Sequence, residues 1–305
     1  MAGDTHPGGA ARRRRRAVVG AALAGCALVA ASTTPAAAGG AGGHDRDTRY
    51  VSLGDSYTAG PFIPRQVDAN CARSDHNYPS IVAAERQATA FEDVSCSGAT
   101  TENMWKAQGS NAPQLDALRR DTDLVTVQIG GNDIGFGSII ATCARIGSQD
   151  PTGDPCERYY SSSGVDQLAV NIMRTAPKVD GVLRAVRARA PHARVLVVGY
   201  PDLLPDDGSG CYPSVPFATG DFPYLRDTGR RLNLMLRLVA AWNHAGYVDT
   251  YGPTRGHDMC KAPADRWIEP LQPASPAAPA HPNAKGEDVM ARAVLARLDR
   301  GRGHD

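Results

Sequence analysis

Apolar positions along the chain fall into two rhythms. Short, nearly continuous apolar runs at 50–53, 91–95, 124–129 and 195–198 have the length and the flanking turn residues of strands covered on both faces. Between them the apolar residues recur at helical spacing over 79–88, 112–119, 165–190, 226–245 and 285–298, and Pro177 is expected to break the third of these. Strands that alternate with helices predict an α/β fold, a three-layer α/β/α sandwich around a mainly parallel, flavodoxin-like sheet. Such sheets place ligands beyond the carboxyl ends of their strands. The residues that follow 50–53 and 124–129 therefore carry the first interest.

The N-terminal stretch breaks both rhythms. Arg12–Arg16 precede an apolar run over 17–31, and small residues end at Ala36-Ala37-Ala38. That order is the pattern of an export signal over 1–38, and the apolar run is shorter than the roughly 20 residues that a spanning helix needs. Leu23-Ala24-Gly25-Cys26 also resembles a bacterial lipoprotein box, so a lipid anchor through Cys26 is the alternative address, although apolar residues continue past the cysteine. A Gly-rich linker over 39–47, one domain over 48–300 and a short tail over 301–305 complete the expected organisation. No repeat is visible.

Composition narrows the function. A formal net charge of +1 turns mildly acidic once Arg12–Arg16 and Asp4 are removed, so no nucleic-acid surface is expected. Six cysteines remain after export, and an even number outside the cytosol points to disulfides. Local loops favour Cys71 with Cys96, Cys143 with Cys156, and Cys211 with Cys260. None stands in a C-x-x-C pair, so no metal site is expected. No phosphate-loop or dinucleotide motif occurs in a strand-to-helix setting, and no cofactor is implied.

Three strand-end segments could carry chemistry. Gly54-Asp55-Ser56 follows the first strand and offers a serine nucleophile at a turn, although serine and aspartate are also preferred helix caps. Gly130-Gly131-Asn132-Asp133 offers a neutral side-chain N–H, yet turn chemistry explains it equally well. Cys96-Ser97-Gly98-Ala99 places a glycine where backbone can approach a ligand closely. A base is also needed. His281, in Ala280-His281-Pro282-Asn283, ends a run of prolines at 270, 273, 276, 279 and 282, whose spacing favours extended polyproline II backbone. His257 is the second candidate, with a nearby cysteine as its structural explanation. Gly-x-Ser-x-Gly fails because position 58 is Thr.

In this order the four blocks resemble the GDSL, or SGNH, hydrolases, and Trp267-Ile268-Glu269-Pro270 with the six cysteines resembles the secreted bacterial lipase and phospholipase A1 branch. The resemblance implies Ser56 as nucleophile, His281 as general base, and an oxyanion hole made by the Ser56 and Gly98 N–H groups with the Asn132 side chain. Many members carry aspartate three residues before the histidine; here it is Ala278. A Ser-His dyad oriented by a main-chain carbonyl near Ala278 is therefore expected, with Asp265 or Glu269 as distant alternatives. Apolar residues near both blocks, Phe62 and Ile63, then Ile134, Phe136, Ile139 and Ile140, suit either a fatty-acyl groove or plain core. A lipase or phospholipase A1 leads, acting as a monomer on lipid or small-molecule esters with transient contact to a lipid surface. Short-chain esterase, thioesterase, carbohydrate deacetylase and a non-catalytic exported binding module stay open.

Overall fold

The computed structural model describes residues 48–300. The expected export signal, linker, Cys26 and C-terminal tail lie outside them. In chain order the elements are β1 (Arg49–Gly54), α1 (Ser56–Ala59), β2 (Gln66–Asp68), β3 (Arg73–Ser74), α2 (Tyr78–Glu85), β4 (Ala90–Asp93), β5 (Leu124–Gln128), α3 (Phe136–Gly147), α4 (Pro155–Tyr160), α5 (Gln167–Arg189), β6 (Arg194–Val198), α6 (Asp221–Trp242), β7 (Gly246–Val248), α7 (Tyr251–Thr254) and α8 (Ala284–Asp299). Five strands form one parallel sheet in the order β4-β1-β5-β6-β7, and β2 and β3 pair as a small antiparallel hairpin. This is the expected α/β sandwich. The chain leaves β1 toward β4 and returns to its other side as β5, so the strand order reverses between β1 and β5. A crevice opens at such a reversal, beyond the carboxyl ends of the strands.

Strand alternation divides the core in two. Val51 and Leu53 of β1, Val125 and Val127 of β5, and Val195 and Val197 of β6 face Leu168, Val179, Val182 and Leu183 of α5 and Leu236 and Val239 of α6. Tyr50, Leu124, Leu196, Val198 and Val248 face the opposite layer, Tyr78 and Val82 of α2 with Met290 and Val294 of α8. Polar residues interleave on this second face and find partners. The Tyr50 hydroxyl lies 2.8 Å from Thr126 Oγ1, and the Thr58 hydroxyl donates to Gln128 Oε1 at 3.1 Å. Gln128 Nε2 in turn donates to the Gly199 carbonyl at 2.6 Å. These bonds satisfy buried groups that would otherwise each cost about 1–3 kcal/mol, and they lead directly to the turn after β1.

Several elements differ from the sequence expectation. Helix α5 runs unbroken through Pro177. The carbonyl deprived of its partner belongs to Met173, which is 66% exposed, so it stands on the side of the helix that water reaches. The helix expected over 112–119 is a single 3-10 turn, Gln114–Ala117. Gln114 instead acts as a clamp: its Oε1 accepts from the Gly54 N–H at 2.8 Å and its Nε2 donates to the Gly54 carbonyl at 2.9 Å. The proline-spaced segment is a series of bends and turns rather than extended polyproline II backbone. Helices α3 and α4 and the edge strand β7 were not anticipated by the pattern.

The disulfides join Cys71 to Cys96, Cys143 to Cys156, and Cys211 to Cys260. Their sequence separations of 25, 13 and 49 residues correspond to roughly 3–4 kcal/mol each from restriction of the unfolded chain.

Candidate active site

The turn after β1 is shaped by lack of room. A Cβ on Gly54 would stand 2.1 Å from Thr58 Oγ1 and 2.9 Å from the Gln128 carbonyl, so only glycine lets the strand end against both. Asp55 then caps the short helix α1 by accepting the Tyr57 N–H at 3.0 Å. Ser56 is the first residue of that helix, and its own N–H has no acceptor among the described residues.

His281 reaches this turn from the loop before α8. Its Nε2 lies 2.7 Å from Ser56 Oγ, and its Nδ1 lies 2.8 Å from the Pro279 carbonyl. A carbonyl only accepts, so Nδ1 carries the proton, Nε2 presents its lone pair, and the serine hydroxyl donates to it. The orienting carbonyl is therefore that of Pro279, not Ala278. Ala278 is spent on the turn itself: its carbonyl accepts the His281 backbone N–H at 3.2 Å, and its N–H donates to Pro61 at 3.0 Å. Neither distant carboxylate reaches the ring. Asp265 offers its main-chain carbonyl to His257, and His257 lies stacked on Trp267 with ring centroids 3.4 Å apart.

Tyr57 holds the imidazole from the other side. Its ring stacks on His281 at 4.6 Å between centroids, and its hydroxyl donates to the Ala280 carbonyl at 2.6 Å. Phe136 meets the same imidazole edge-on. Burial pushes His281 down to about 4, with the Pro279 carbonyl opposing that fall. The ring is thus neutral at pH 7, the state a general base requires.

Glu269 carries the histidine loop. Its carboxylate is fully buried and collects donors from Arg266, from Asn283 Nδ2 at 2.9 Å, and from the Ala274 and Ser275 N–H groups. Burial raises its pKa, and these donors outweigh that and hold it below the ordinary glutamate value. Its main chain exchanges hydrogen bonds with residues 280 and 281. Asn283 continues the chain by capping α8, accepting from the N–H groups of Lys285 and Gly286.

The other two blocks converge on the same strand ends. The Cys96 N–H donates to the Gly54 carbonyl at 3.1 Å, which brings the loop bearing Gly98 beside the serine turn. Gly98 has φ +81°, and its N–H has no acceptor among the described residues. Asn132 Nδ2 donates to the Ala99 carbonyl at 2.9 Å, which leaves its second proton uncommitted. The Asp133 carboxylate accepts from the N–H and the hydroxyl of Thr101, at 2.8 and 2.6 Å, and so ties the two loops together.

Ser56 and Asn132 line one cleft of about 820 Å³, open solvent at its mouth included. Ile134, Phe136, Ile139, Leu203 and Phe217 give it largely apolar walls. Among the described residues no group of three or more His, Cys, Asp or Glu side chains could hold a metal ion. No helix among them is long and apolar enough to cross a membrane.

A serine bonded to an oriented neutral histidine, beside uncommitted N–H donors and an apolar cleft, is the equipment of acyl transfer. The model of the GDSL-like lipase/acylhydrolase family matches residues 52–289. The chain belongs to this family. A lipase of Streptomyces coelicolor, Lipase 2, is 42% identical to it over 252 residues, covering 81% of this chain and 84% of the relative. Among solved structures, a phospholipase A1 from Streptomyces albidoflavus superposes with a TM-score of 0.68 at 26% identity, covering 83% of this chain and 99% of that one. An extracellular lipase from Streptomyces rimosus does so with a TM-score of 0.67 at 27% identity and the same coverage. This GDSL-family chain is a carboxylic ester hydrolase.

Four supporting side chains of this family member have roles that the sequence alone did not assign. Asp55 is buried and pushed up to about 7 by that burial, against hydrogen bonds from the Tyr200 hydroxyl and the Tyr57 N–H. Tyr200 Oη donates to Asp55 at 2.5 Å and accepts the Gly131 N–H at 2.8 Å, so one hydroxyl links the serine turn to the Asn132 turn. Glu269 was visible only as a possible partner of the histidine. Tyr57 is in the signature itself, but nothing in one sequence reveals that its ring lies on His281.

Proposed function

We propose that this chain is an exported serine lipase or phospholipase A1 that cleaves fatty-acyl esters through an acyl-serine intermediate. The observation that carries the reading is the hydrogen-bonded line from Ser56 Oγ through His281 to the Pro279 carbonyl, beside an apolar cleft. Ser56 Oγ attacks the ester carbonyl carbon and its proton passes to His281 Nε2. The imidazolium is stabilised by Pro279, which keeps the Nδ1 proton in place. Negative charge on the substrate oxygen is received by the N–H groups of Ser56 and Gly98 and the free proton of Asn132. His281 then protonates the departing alcohol, and a water activated by the same ring releases the fatty acid.

The apolar walls favour a fatty chain over a short acyl or sugar-borne acetyl group, because each buried methylene contributes about 0.8 kcal/mol. Export is supported by the arginine-led apolar N-terminus, by the three disulfides, and by the extracellular S. rimosus relative. A fluorophosphonate probe should label Ser56 in the folded protein, and kcat/KM for p-nitrophenyl esters should rise from acetate to octanoate. Absence of labelling, or a preference for acetate, would overturn the corresponding half of the reading.

A further inference from the structure

One wall of the cleft contradicts its apolar character. Asp202 follows β6 by a few residues, lines the same cleft as Ser56, and is 1% exposed. Neither of its carboxyl oxygens meets a donor in good hydrogen-bonding geometry among the described residues, although the Tyr251 hydroxyl and the Leu204 N–H lie near enough to favour its charged form weakly. A buried carboxyl without donors is costly and persists where something outside the protein supplies them.

The neighbours that could supply donors are engaged elsewhere. The Tyr251 hydroxyl donates to Asp206 at 3.0 Å. Arg226 directs Nε to Asp227 and one terminal nitrogen to the Asp206 carbonyl. Arg230 and Arg255 pair with Asp206, and Lys261 faces Asp258 at 3.8 Å. The Asp202 backbone N–H is held by Thr254 Oγ1 at 2.8 Å, so the main chain at this point is anchored while the carboxyl is not. Burial first, then the nearby Asp258 and Asp206 charges, push this carboxyl up to about 7, against a partial lowering by Tyr251 and the Leu204 N–H. Among the described residues no cation pairs with it, and it is an acceptor in either protonation state.

We propose that Asp202 is a specificity determinant of the acyl cleft, accepting a hydrogen bond from a hydroxyl group carried on the substrate's fatty chain. The proposal rests on the reading of this cleft as the acyl site. A plain alkyl chain would bury the carboxyl still unpaired, whereas a chain hydroxyl at the matching position satisfies it. Discrimination of this kind is larger than that between chains differing by a methylene, because the penalty falls on the substrate that lacks the donor.

The test compares kcat/KM for pairs of p-nitrophenyl esters of equal chain length, with and without one hydroxyl, moving the hydroxyl along the chain. The wild type should favour the hydroxyacyl ester at one position by about tenfold or more. Asp202→Asn, which keeps an acceptor, should retain most of that ratio; Asp202→Leu should bring it to one. Asp202→Ala reads the same ratio if the leucine variant does not fold. The proposal fails if no hydroxyl position is favoured by the wild type, or if the preference survives in the leucine and alanine variants. Loss of fluorophosphonate labelling and ester turnover in the wild type would instead defeat the reading of the site itself, so the two failures are distinguishable.

Discussion

Tyr200→Phe removes one oxygen and disconnects two loops. In the wild type that hydroxyl donates to buried Asp55 and accepts the buried Gly131 N–H. Phenylalanine leaves a carboxyl oxygen and a main-chain donor unsatisfied at full burial, and each such group costs about 1–3 kcal/mol. The expected loss of unfolding free energy is therefore about 2–6 kcal/mol by urea denaturation. Stability and turnover should also acquire a shared pH signature. Asp55, pushed up to about 7 from an ordinary value near 3.8, holds its proton in the folded state where the unfolded chain has released it. Its contribution is complete below about pH 4 and is lost as pH rises toward 7 and beyond. Removing the Tyr200 donor raises the Asp55 pKa further, so in the variant this decline extends to higher pH. Because Asp55 and Gly131 flank Ser56 and Asn132, kcat should fall by about tenfold or more while KM changes little. Urea melts from pH 5 to 9 with parallel kinetics provide the assay. A variant as stable as wild type, with unchanged kcat, would refute the claim that Tyr200 braces both turns.

Asn132→Ala should lower kcat about 10²- to 10³-fold with KM little affected, measured with p-nitrophenyl octanoate; full activity would remove Asn132 from the oxyanion hole. With His281 held at about 4, kcat/KM should stay high down to about pH 5 and fall only as pH drops through about 4, where a free histidine would already have lost activity near 6.5. The same depression means that the unfolded chain binds more protons between about pH 4 and 6.5, so the histidine's contribution to stability is lost as pH falls through that window. Glu269→Gln leaves Arg266 buried without its partner carboxylate and should destabilise the fold by about 3–5 kcal/mol, visible as a lower thermal midpoint. Turnover should fall with it, because the residues that bond Glu269 carry the His281 loop.

What could be read beforehand follows from the range of the interactions involved. The strands were legible because β5 and β6 are buried on both faces, so that β6 is apolar after Arg194 and β5 departs from an apolar run only at Thr126 and Gln128. That Ser56 and His281 would meet was legible only from the order of the four blocks along the chain, which resembles that of a known family. The orienting group was not, since a main-chain carbonyl carries no side-chain signal: a two-residue span to Pro279 and a three-residue span to Ala278 look alike on paper. Helix α5 hid its continuity behind Pro177 because local propensity cannot see that Leu168, Ile172, Val179 and Val186 bury one long stripe. Helix α3 is preceded by Gly135 in the cap position, which offers no side-chain bond, so its beginning gave no signal. Tyr200 and Asp202 lie beyond β6, far from either motif in sequence, and only the folded sheet brings them to the serine.

The Cys71–Cys96 bond has a consequence for timing. The Ser97 N–H donates to the Cys71 carbonyl at 3.0 Å, and Gly98 follows immediately, so the crosslink sets the position of a loop that carries a proposed charge-receiving N–H. Before oxidation, that loop is held to the β2–β3 hairpin by non-covalent contacts alone. A chain with these two thiols reduced is expected to keep its serine and histidine in place but to hold the Gly98 N–H, the proposed donor to the oxyanion, less firmly.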